Sequence, residues 1–223
     1  MKIKKFLTII LVAAAALAAC EKNVNPGGNE NGNGNENENG NGNEGGDENG
    51  DNPGGDVETV QYTDVLTWDI FADVEGREHS YFDFSDLKAS MSGAVVSDAV
   101  YAGNIKTYQS TSLQMRSKSG DSGIVTTKSG GKIVKLSFVW NPGTEAGGLE
   151  RKVELWGKST AYNSATDLYE ESAKGELLGT NIFDPDNLQS EIAVTGDYEF
   201  FGIRSADGAI YFDRIEITWV TTK

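Results

Sequence analysis

The chain of 223 residues has one cysteine, one histidine, four prolines and far fewer basic than acidic side chains. A single cysteine excludes an internal disulfide and a cysteine-rich zinc site. A single histidine excludes most zinc and non-haem iron enzymes, whose metals need several imidazole ligands. With 19 basic against 34 acidic residues, the net charge of −15 argues against nucleic-acid binding, because phosphates require a basic surface.

The N-terminal apolar segment is too short to cross a bilayer. It covers residues 6–17 and follows Lys2, Lys4 and Lys5, whereas a membrane-spanning helix needs about 20 residues. A basic segment followed by a short apolar run is typical of a secretory signal peptide. We therefore predict a signal peptide over residues 1–19.

The signal ends in Leu17-Ala18-Ala19-Cys20. This sequence resembles the lipobox of bacterial lipoproteins, in which small residues precede the cysteine that carries the lipid. The resemblance implies that Cys20 becomes a lipidated N-terminus, which anchors the protein to a membrane. Two or three acyl chains are enough for a stable membrane anchor. The alternative is an ordinary secretory signal next to a cysteine. Because Glu21 and not aspartate follows Cys20, export to the outer membrane is permitted, on either the outer surface or the periplasmic side.

A low-complexity segment follows Cys20. Residues 21–56 contain 12 asparagines, 11 glycines and 9 acidic residues, and Val24 is their only apolar side chain. Such a composition buries too little surface to offset the entropy of ordering. We predict that residues 20–56 comprise the lipidated cysteine and a disordered tether, whose 36 flexible residues reach about 30–36 Å.

Residues 57–223 show the two-residue period of half-buried strands. In 132–140, Val134, Leu136, Phe138 and Trp140 are predicted to share one face. Further strands are predicted at 64–71, 79–84, 112–117, 123–127, 151–157, 191–194, 197–205 and 209–220. Turns are predicted at 196–197 and 207–208, and Ser164 is predicted to cap a short turn. Many short strands without a long helix predict an all-β fold, a jelly-roll-like β-sandwich.

Four of these stretches, 132–136, 153–159, 198–205 and 210–217, together resemble the galactose-binding-like jelly roll. That superfamily includes discoidin-type and many carbohydrate-binding modules. The resemblance covers about residues 110–220, and the chain also resembles β-sandwich surface lipoproteins of Bacteroides-type bacteria. It implies that a glycan binds to loops at one end of the sandwich, although one fold hosts many functions.

Trp156 is the aromatic residue most suggestive of a sugar platform. In strict alternation it shares a face with Lys152 and Glu154, so we predict an exposed ring that stacks on a sugar. The alternative is a ring packed under the 160–175 insertion. Other candidate ligand residues lie in or beside predicted loops: Tyr101, Asn104, Tyr108, Arg116, Tyr162, Tyr169 and Arg204. Each of these is alternatively a surface or core residue, and the two arginines alternatively pair with acids.

The resemblance also implies a structural calcium ion near Asp213, because an acid at the matching place holds Ca²⁺ in several carbohydrate-binding modules. Asp69, Asp73 or Glu75 would supply further oxygen ligands, which calcium prefers. The alternative is an outward-facing acid. No other cofactor is predicted.

Catalytic patterns are weak. Gly120-Asp121-Ser122-Gly123 resembles the nucleophile loop of chymotrypsin-like proteases, but Ile124 follows where that family has another glycine, and His79 precedes Ser122 by only 43 residues. We interpret this stretch as a turn. No carboxylate pair stands out for glycoside hydrolysis. The sequence thus predicts a non-enzymatic, lipid-anchored cell-envelope module that binds glycan, or alternatively an accessory protein of an outer-membrane complex.

Overall fold

The computed structural model describes residues 58–71, 81–88, 97–109, 111–145 and 150–222. The predicted signal peptide, Cys20 and the tether lie outside these ranges, as do Asp73, Glu75 and His79. All described residues belong to one contact unit, Pro53–Lys223.

Eleven strands and three 3₁₀ segments make up the regular structure of the described ranges. The strands are β1 (Thr59–Leu66), β2 (Phe82–Leu87), β3 (Val100–Tyr108), β4 (Ser112–Arg116), β5 (Gly123–Lys128), β6 (Lys132–Trp140), β7 (Lys152–Lys158), β8 (Glu176–Ile182), β9 (Gln189–Ala193), β10 (Phe200–Ser205) and β11 (Ala209–Thr222). The 3₁₀ segments are Trp68–Phe71, Pro142–Thr144 and Ala165–Tyr169.

The strands form two antiparallel sheets. In the first sheet β9, β6 and β11 are neighbours, and both β1 and β4 pair with the other side of β11. The second sheet has the order β8-β7-β10-β5-β3-β2. Strand β3 belongs to both, because Lys106–Tyr108 pair with β4 while its earlier residues pair with β2 and β5. Asn181 Nδ2 donates to the Glu191 carbonyl of β9 (3.2 Å), so the sheets nearly close into a barrel. The predicted all-β sandwich is confirmed.

The main core lies between the sheets. Leu136, Phe138 and Trp140 of β6 point inward as predicted, and β11 supplies Phe212, Ile215, Ile217 and Trp219. Val134 does not share that face; Ile133 is fully buried instead. The reason is a register shift opposite Thr218 and Trp219 in the β6–β11 ladder, because an extra residue in one strand reverses the alternation beyond it.

Two strands and several strand boundaries differ from the sequence predictions; the predicted strands 79–84 and 197–205, for example, are Phe82–Leu87 and Phe200–Ser205. Strands β3 and β8 are not predicted, and the predicted strand 64–71 is instead the end of β1 followed by a 3₁₀ segment. The first six residues of β3 are all buried, so they carry no alternation. Strand β8 is largely exposed and includes Leu177 and Ile182 at 46% and 50% exposure, so it carries no apolar face either.

A second, smaller core lies on the outer face of the second sheet. The 160–175 insertion, with its 3₁₀ segment, covers this face, and the packed residues are Ala102, Val125, Trp156, Tyr162 and Leu168. Ser164 occupies the predicted N-cap position, although its side chain makes no capping hydrogen bond. The insertion thereby forms a wall beside β2 and β3. No helix in the described ranges has the length and apolar character needed to cross a bilayer.

Candidate functional site

A polar cleft of about 420 Å³ lies between the edge of the second sheet and the insertion. Its floor includes Phe84, Ala102 and Gly103. Its polar lining comes from β2, from the β4–β5 loop and from the insertion, and consists of Asp83, Ser85, Asp121, Asn163, Ser164 and Thr166. The cleft is thus rich in carboxylate, amide and hydroxyl groups.

Strand β2 places two polar side chains at the cleft through simple alternation. Phe84 is buried in the core, while its neighbours Asp83 and Ser85 are exposed. Among the described strands β2 pairs only with β3, through Asp83 opposite Asn104 and Phe84 opposite Gly103. Its polar side chains therefore line the rim of the cleft at the edge of the second sheet as the described residues form it.

Asn104 holds the other side of the cleft in place. Its Nδ2 donates to Oδ2 of Asp121 (2.8 Å), which ties the β4–β5 loop to β3. Asn104 is only 7% exposed, yet its Oδ1 has no hydrogen-bond partner among the described residues. A buried acceptor without a partner is unfavourable unless a water or ligand supplies a donor. The predicted ligand residue Asn104 therefore lies directly behind a cleft-lining carboxylate.

The cleft has the chemistry of a site for a neutral, hydroxyl-rich ligand. Asp83 and Asp121 accept hydrogen bonds, and the amide and hydroxyl groups of Asn163, Ser164 and Thr166 both donate and accept. Two carboxylates disfavour an anionic ligand in the same space. Hydroxyl groups, which donate and accept in turn, match such a lining.

The prediction that the Trp156 ring is exposed is wrong. Its exposure is 7%, and its Nε1 donates to Oε2 of Glu154 (3.1 Å). A register shift between Leu155 and Trp156 interrupts the β7–β8 ladder, and the insertion covers this face. Lys174 Nζ lies 4.4 Å from the ring centroid. The alternative interpretation, a ring packed under the insertion, describes the structure.

Arg204 is a packing and pairing residue of the same layer. Its Nε donates to Glu154 Oε2 (2.8 Å) and its Nη1 to the Leu168 carbonyl (2.6 Å). The guanidinium also lies over the ring of Tyr169, 5.0 Å from its centroid. Burial raises the pKa of Tyr169 to about 12 although the charge of Arg204 acts in the opposite direction, so this phenol is a donor, and it bonds to the Ser122 carbonyl (2.7 Å).

Tyr101 and Tyr162 are buried core residues; Tyr101 lies in a strand, whereas Tyr162 lies in the insertion, a loop as predicted. Tyr101 lies within β3, is fully buried and donates from its hydroxyl to Asp64. Tyr162 is 1% exposed and donates to the Lys174 carbonyl (2.7 Å). Burial raises the pKa of both phenols. Neither ring lines the cleft, so the predicted ligand residues do not converge on one place.

Arg116 is exposed at the end of β4, on the outer face of the first sheet, and it does not line the cleft. The cleft residues that the sequence analysis missed are the polar side chains of β2 and the insertion. Alternation around the buried Phe84 could have predicted that Asp83 and Ser85 face away from the core. No local pattern brings the insertion next to them, because that contact depends on the tertiary fold.

Asp213, the predicted calcium ligand, and Ser122, in the protease-like stretch, both accept hydrogen bonds from neighbouring residues of the fold. Asp213 Oδ1 accepts from Ser112 Oγ (2.5 Å) and Asn141 Nδ2 (2.8 Å). In the described ranges no three histidine, cysteine, aspartate or glutamate side chains are grouped to hold a metal, and the calcium site stays a prediction. Ser122 is fully buried, its Oγ accepts from the Arg116 backbone N–H (3.1 Å), and a turn precedes it. The turn interpretation of 120–123 is confirmed.

Comparison with known proteins adds no family. No protein-family model matches the chain, and a search of curated proteins returns no match.

Proposed function

We propose that the protein is a lipid-anchored binding module of the cell envelope that recognises a neutral glycan in the polar cleft. The observation that supports this most is the combination of two carboxylates, Asp83 and Asp121, with amide and hydroxyl groups in the lining of one cleft. The lipobox-like sequence at Cys20 and the predicted tether support attachment to the outer membrane, on its outer or periplasmic side.

The cleft fits a sugar for reasons of hydrogen bonding and size. Its volume of about 420 Å³ falls within the range of small-ligand sites. Its floor offers Ala102 and Gly103 to the apolar C–H face of a ring, while the rim offers acceptors and hydroxyls to the ring substituents. The tether would hold this cleft away from the lipid surface.

Replacing Asp121 with alanine is expected to weaken glycan binding at least tenfold. The change removes an acceptor from the cleft and leaves Asn104 Nδ2 without its partner, and a charge-assisted hydrogen bond contributes about 1.5–3 kcal/mol. Binding is measured on a glycan array with the purified chain, with and without EDTA, followed by titration calorimetry with any retained glycan. Asp83→Ala should have a similar effect.

Asp186→Ala is the matched control, because Asp186 is an exposed acid in the β8–β9 connection and does not line the cleft. Unchanged binding by Asp121→Ala and Asp83→Ala would remove the cleft from the proposal. No retained glycan, together with a stoichiometric membrane partner in a pull-down, would favour the accessory-protein alternative. Loss of binding only in EDTA would support the predicted calcium ion.

Replacing Cys20 with serine is expected to release the protein from the membrane fraction. A hydroxyl cannot form the thioether that carries the acyl chains, and each buried methylene contributes about 0.8 kcal/mol to anchoring. Partition into the detergent phase of Triton X-114 and incorporation of labelled palmitate measure the effect. A wild-type chain that stays in the aqueous phase would contradict the anchor.

A further inference from the structure

A second polar surface, separate from the cleft, lies on the outer face of the first sheet. We name it the tyrosine–arginine surface, and its members are Lys106, Tyr108, Arg116, Arg151 and Tyr211. Lys106 and Tyr211 both lie opposite Gln114, and Arg116 lies opposite Ala209. Directly opposite residues of paired strands share a face, so β3, β4 and β11 present Lys106, Tyr108, Arg116 and Tyr211 together. Arg151 directly precedes β7, and its guanidinium reaches this surface beside Gly208.

Two stacked tyrosines form the centre of this surface. The rings of Tyr108 and Tyr211 have centroids 3.9 Å apart and are inclined by 21°. The backbone of Tyr211 is fixed on both sides by Thr144, whose Oγ1 donates to the Tyr211 carbonyl (3.1 Å) and accepts from its N–H (3.0 Å). Both side chains are half-buried, so the pair is a rigid and partly accessible aromatic platform.

The two arginines beside the platform differ from the other arginines of the described ranges. Arg204 pairs with Glu154 and Arg214 pairs with Glu216. Arg116 and Arg151 form no ion pair with any described residue, although the chain carries a net charge of −15. Arg151 Nε is also buried without a described hydrogen-bond partner. An unsatisfied, buried guanidinium nitrogen is costly in the free protein.

Both guanidinium groups lie within electrostatic range of the platform. Burial and the neighbouring Tyr108 raise the pKa of Tyr211, while the charges of Arg151 and Arg116 act in the opposite direction. The Arg151 guanidinium lies against Gly208, where an added Cβ would be 1.1 Å from Nη1. The acid on this face, Asp213, already accepts from Ser112 and Asn141. Two guanidinium groups without a described ion-pair partner therefore act on Tyr211 in an otherwise acidic protein.

We propose that the tyrosine–arginine surface binds a saccharide that carries a carboxylate. The sugar ring packs on the tyrosine pair, and Arg116 and Arg151 donate to the carboxylate. Guanidinium groups match a planar carboxylate with paired N–H donors, and aromatic rings pack on the C–H faces of sugars. This site does not depend on the cleft proposal, because the two cleft carboxylates select against the ligand that this surface attracts.

The test is affinity electrophoresis of the full chain, in detergent, through gels that contain polygalacturonate, neutral galactan or heparin. We expect retardation by polygalacturonate that weakens with added salt. Arg116→Gln should weaken it about tenfold or more, which corresponds to the loss of one charge-assisted hydrogen bond. Arg151→Lys keeps the charge but loses the fork of donors, and it should also weaken retardation.

Arg214→Gln is the matched control, because it removes one arginine from the same strand that carries Tyr211. Its retardation should equal that of the wild type. Equal retardation by heparin would overturn the assignment to a carboxylate. Equal loss in Arg116→Gln and Arg214→Gln, with no loss in Arg151→Lys, would show attraction by net charge alone. Wild-type retardation by polygalacturonate in Arg116→Gln and Arg151→Lys would overturn the site. Asp121→Ala tests only the cleft and should leave this retardation unchanged.

Discussion

Replacing Asp64 with alanine is expected to lower the free energy of unfolding by about 3–5 kcal/mol. Asp64 of β1 is fully buried, and its carboxylate accepts hydrogen bonds from both sheets. Tyr101 of β3 and Trp219 of β11 donate to its Oδ2, the latter over 3.0 Å. Ser97 donates from its hydroxyl and from its backbone N–H. Alanine would leave all these donors without an acceptor.

Chemical unfolding in urea, followed by tryptophan fluorescence, measures this effect. Asp186→Ala is the control, because Asp186 is an exposed acid in the β8–β9 connection and should change stability by less than about 0.5 kcal/mol. Tyr101→Phe and Trp219→Phe each remove one donor and should each cost about 1 kcal/mol. A midpoint for Asp64→Ala equal to that of Asp186→Ala would contradict the assigned role of the carboxylate.

The same network explains why Tyr101 is unsuitable as a ligand residue. Burial raises the pKa of Tyr101 well above its usual value, and the charge of Asp64 raises it further. The phenol therefore stays protonated and donates inward, toward β1. From the sequence, tyrosine chemistry alone suggested an exposed hydroxyl, since the partner of that hydroxyl lies 37 residues away in the chain.

Strand prediction from sequence depends on whether one face or two faces are buried. Strand β6 alternates because its inner side chains, such as Phe138, meet the core while Lys135 faces out. Strand β3 does not alternate, because Tyr101 packs in the main core while Ala102 packs under the insertion. The exposure of Trp156 is predicted wrongly for the same reason. Alternation places its ring on the outer face of the sheet, which was assumed to be in solvent, but the insertion covers that face.

Most cleft residues cannot be predicted from the sequence, because they come from segments that are far apart in the chain. Asn104 was predicted from its residue type, and the structure places it behind the cleft. The other cleft residues come from segments up to 83 positions apart, from Asp83 to Thr166, which only the folded sheet brings together. Tyr211 lies in a strand with strong alternation, which predicts only that its side chain faces outward. The arginines beside it come from other segments, so the local sequence does not indicate them.

Replacing Gly103 with alanine is expected to destabilise the protein by about 3 kcal/mol and, by displacing β3, to disturb the cleft lining. A Cβ at this position would lie 2.2 Å from the Gly123 carbonyl oxygen of β5, and 3.0 Å from Phe84 of β2. The oxygen belongs to the backbone, so no rotamer change relieves the contact, and β3 and β5 must separate.

Urea unfolding and glycan-array binding measure the two effects of Gly103→Ala in one preparation. Gly120→Ala is the control of the same chemical change, since no atom lies within 4 Å of a Cβ there. We expect Gly120→Ala to match the wild type in both assays. Because the neighbour of Gly103 across the ladder is a carbonyl rather than a side chain, no second substitution on β5 should restore stability. Unfolding curves for Gly103→Ala and Gly120→Ala that superimpose would show that β3 and β5 are not as close as described.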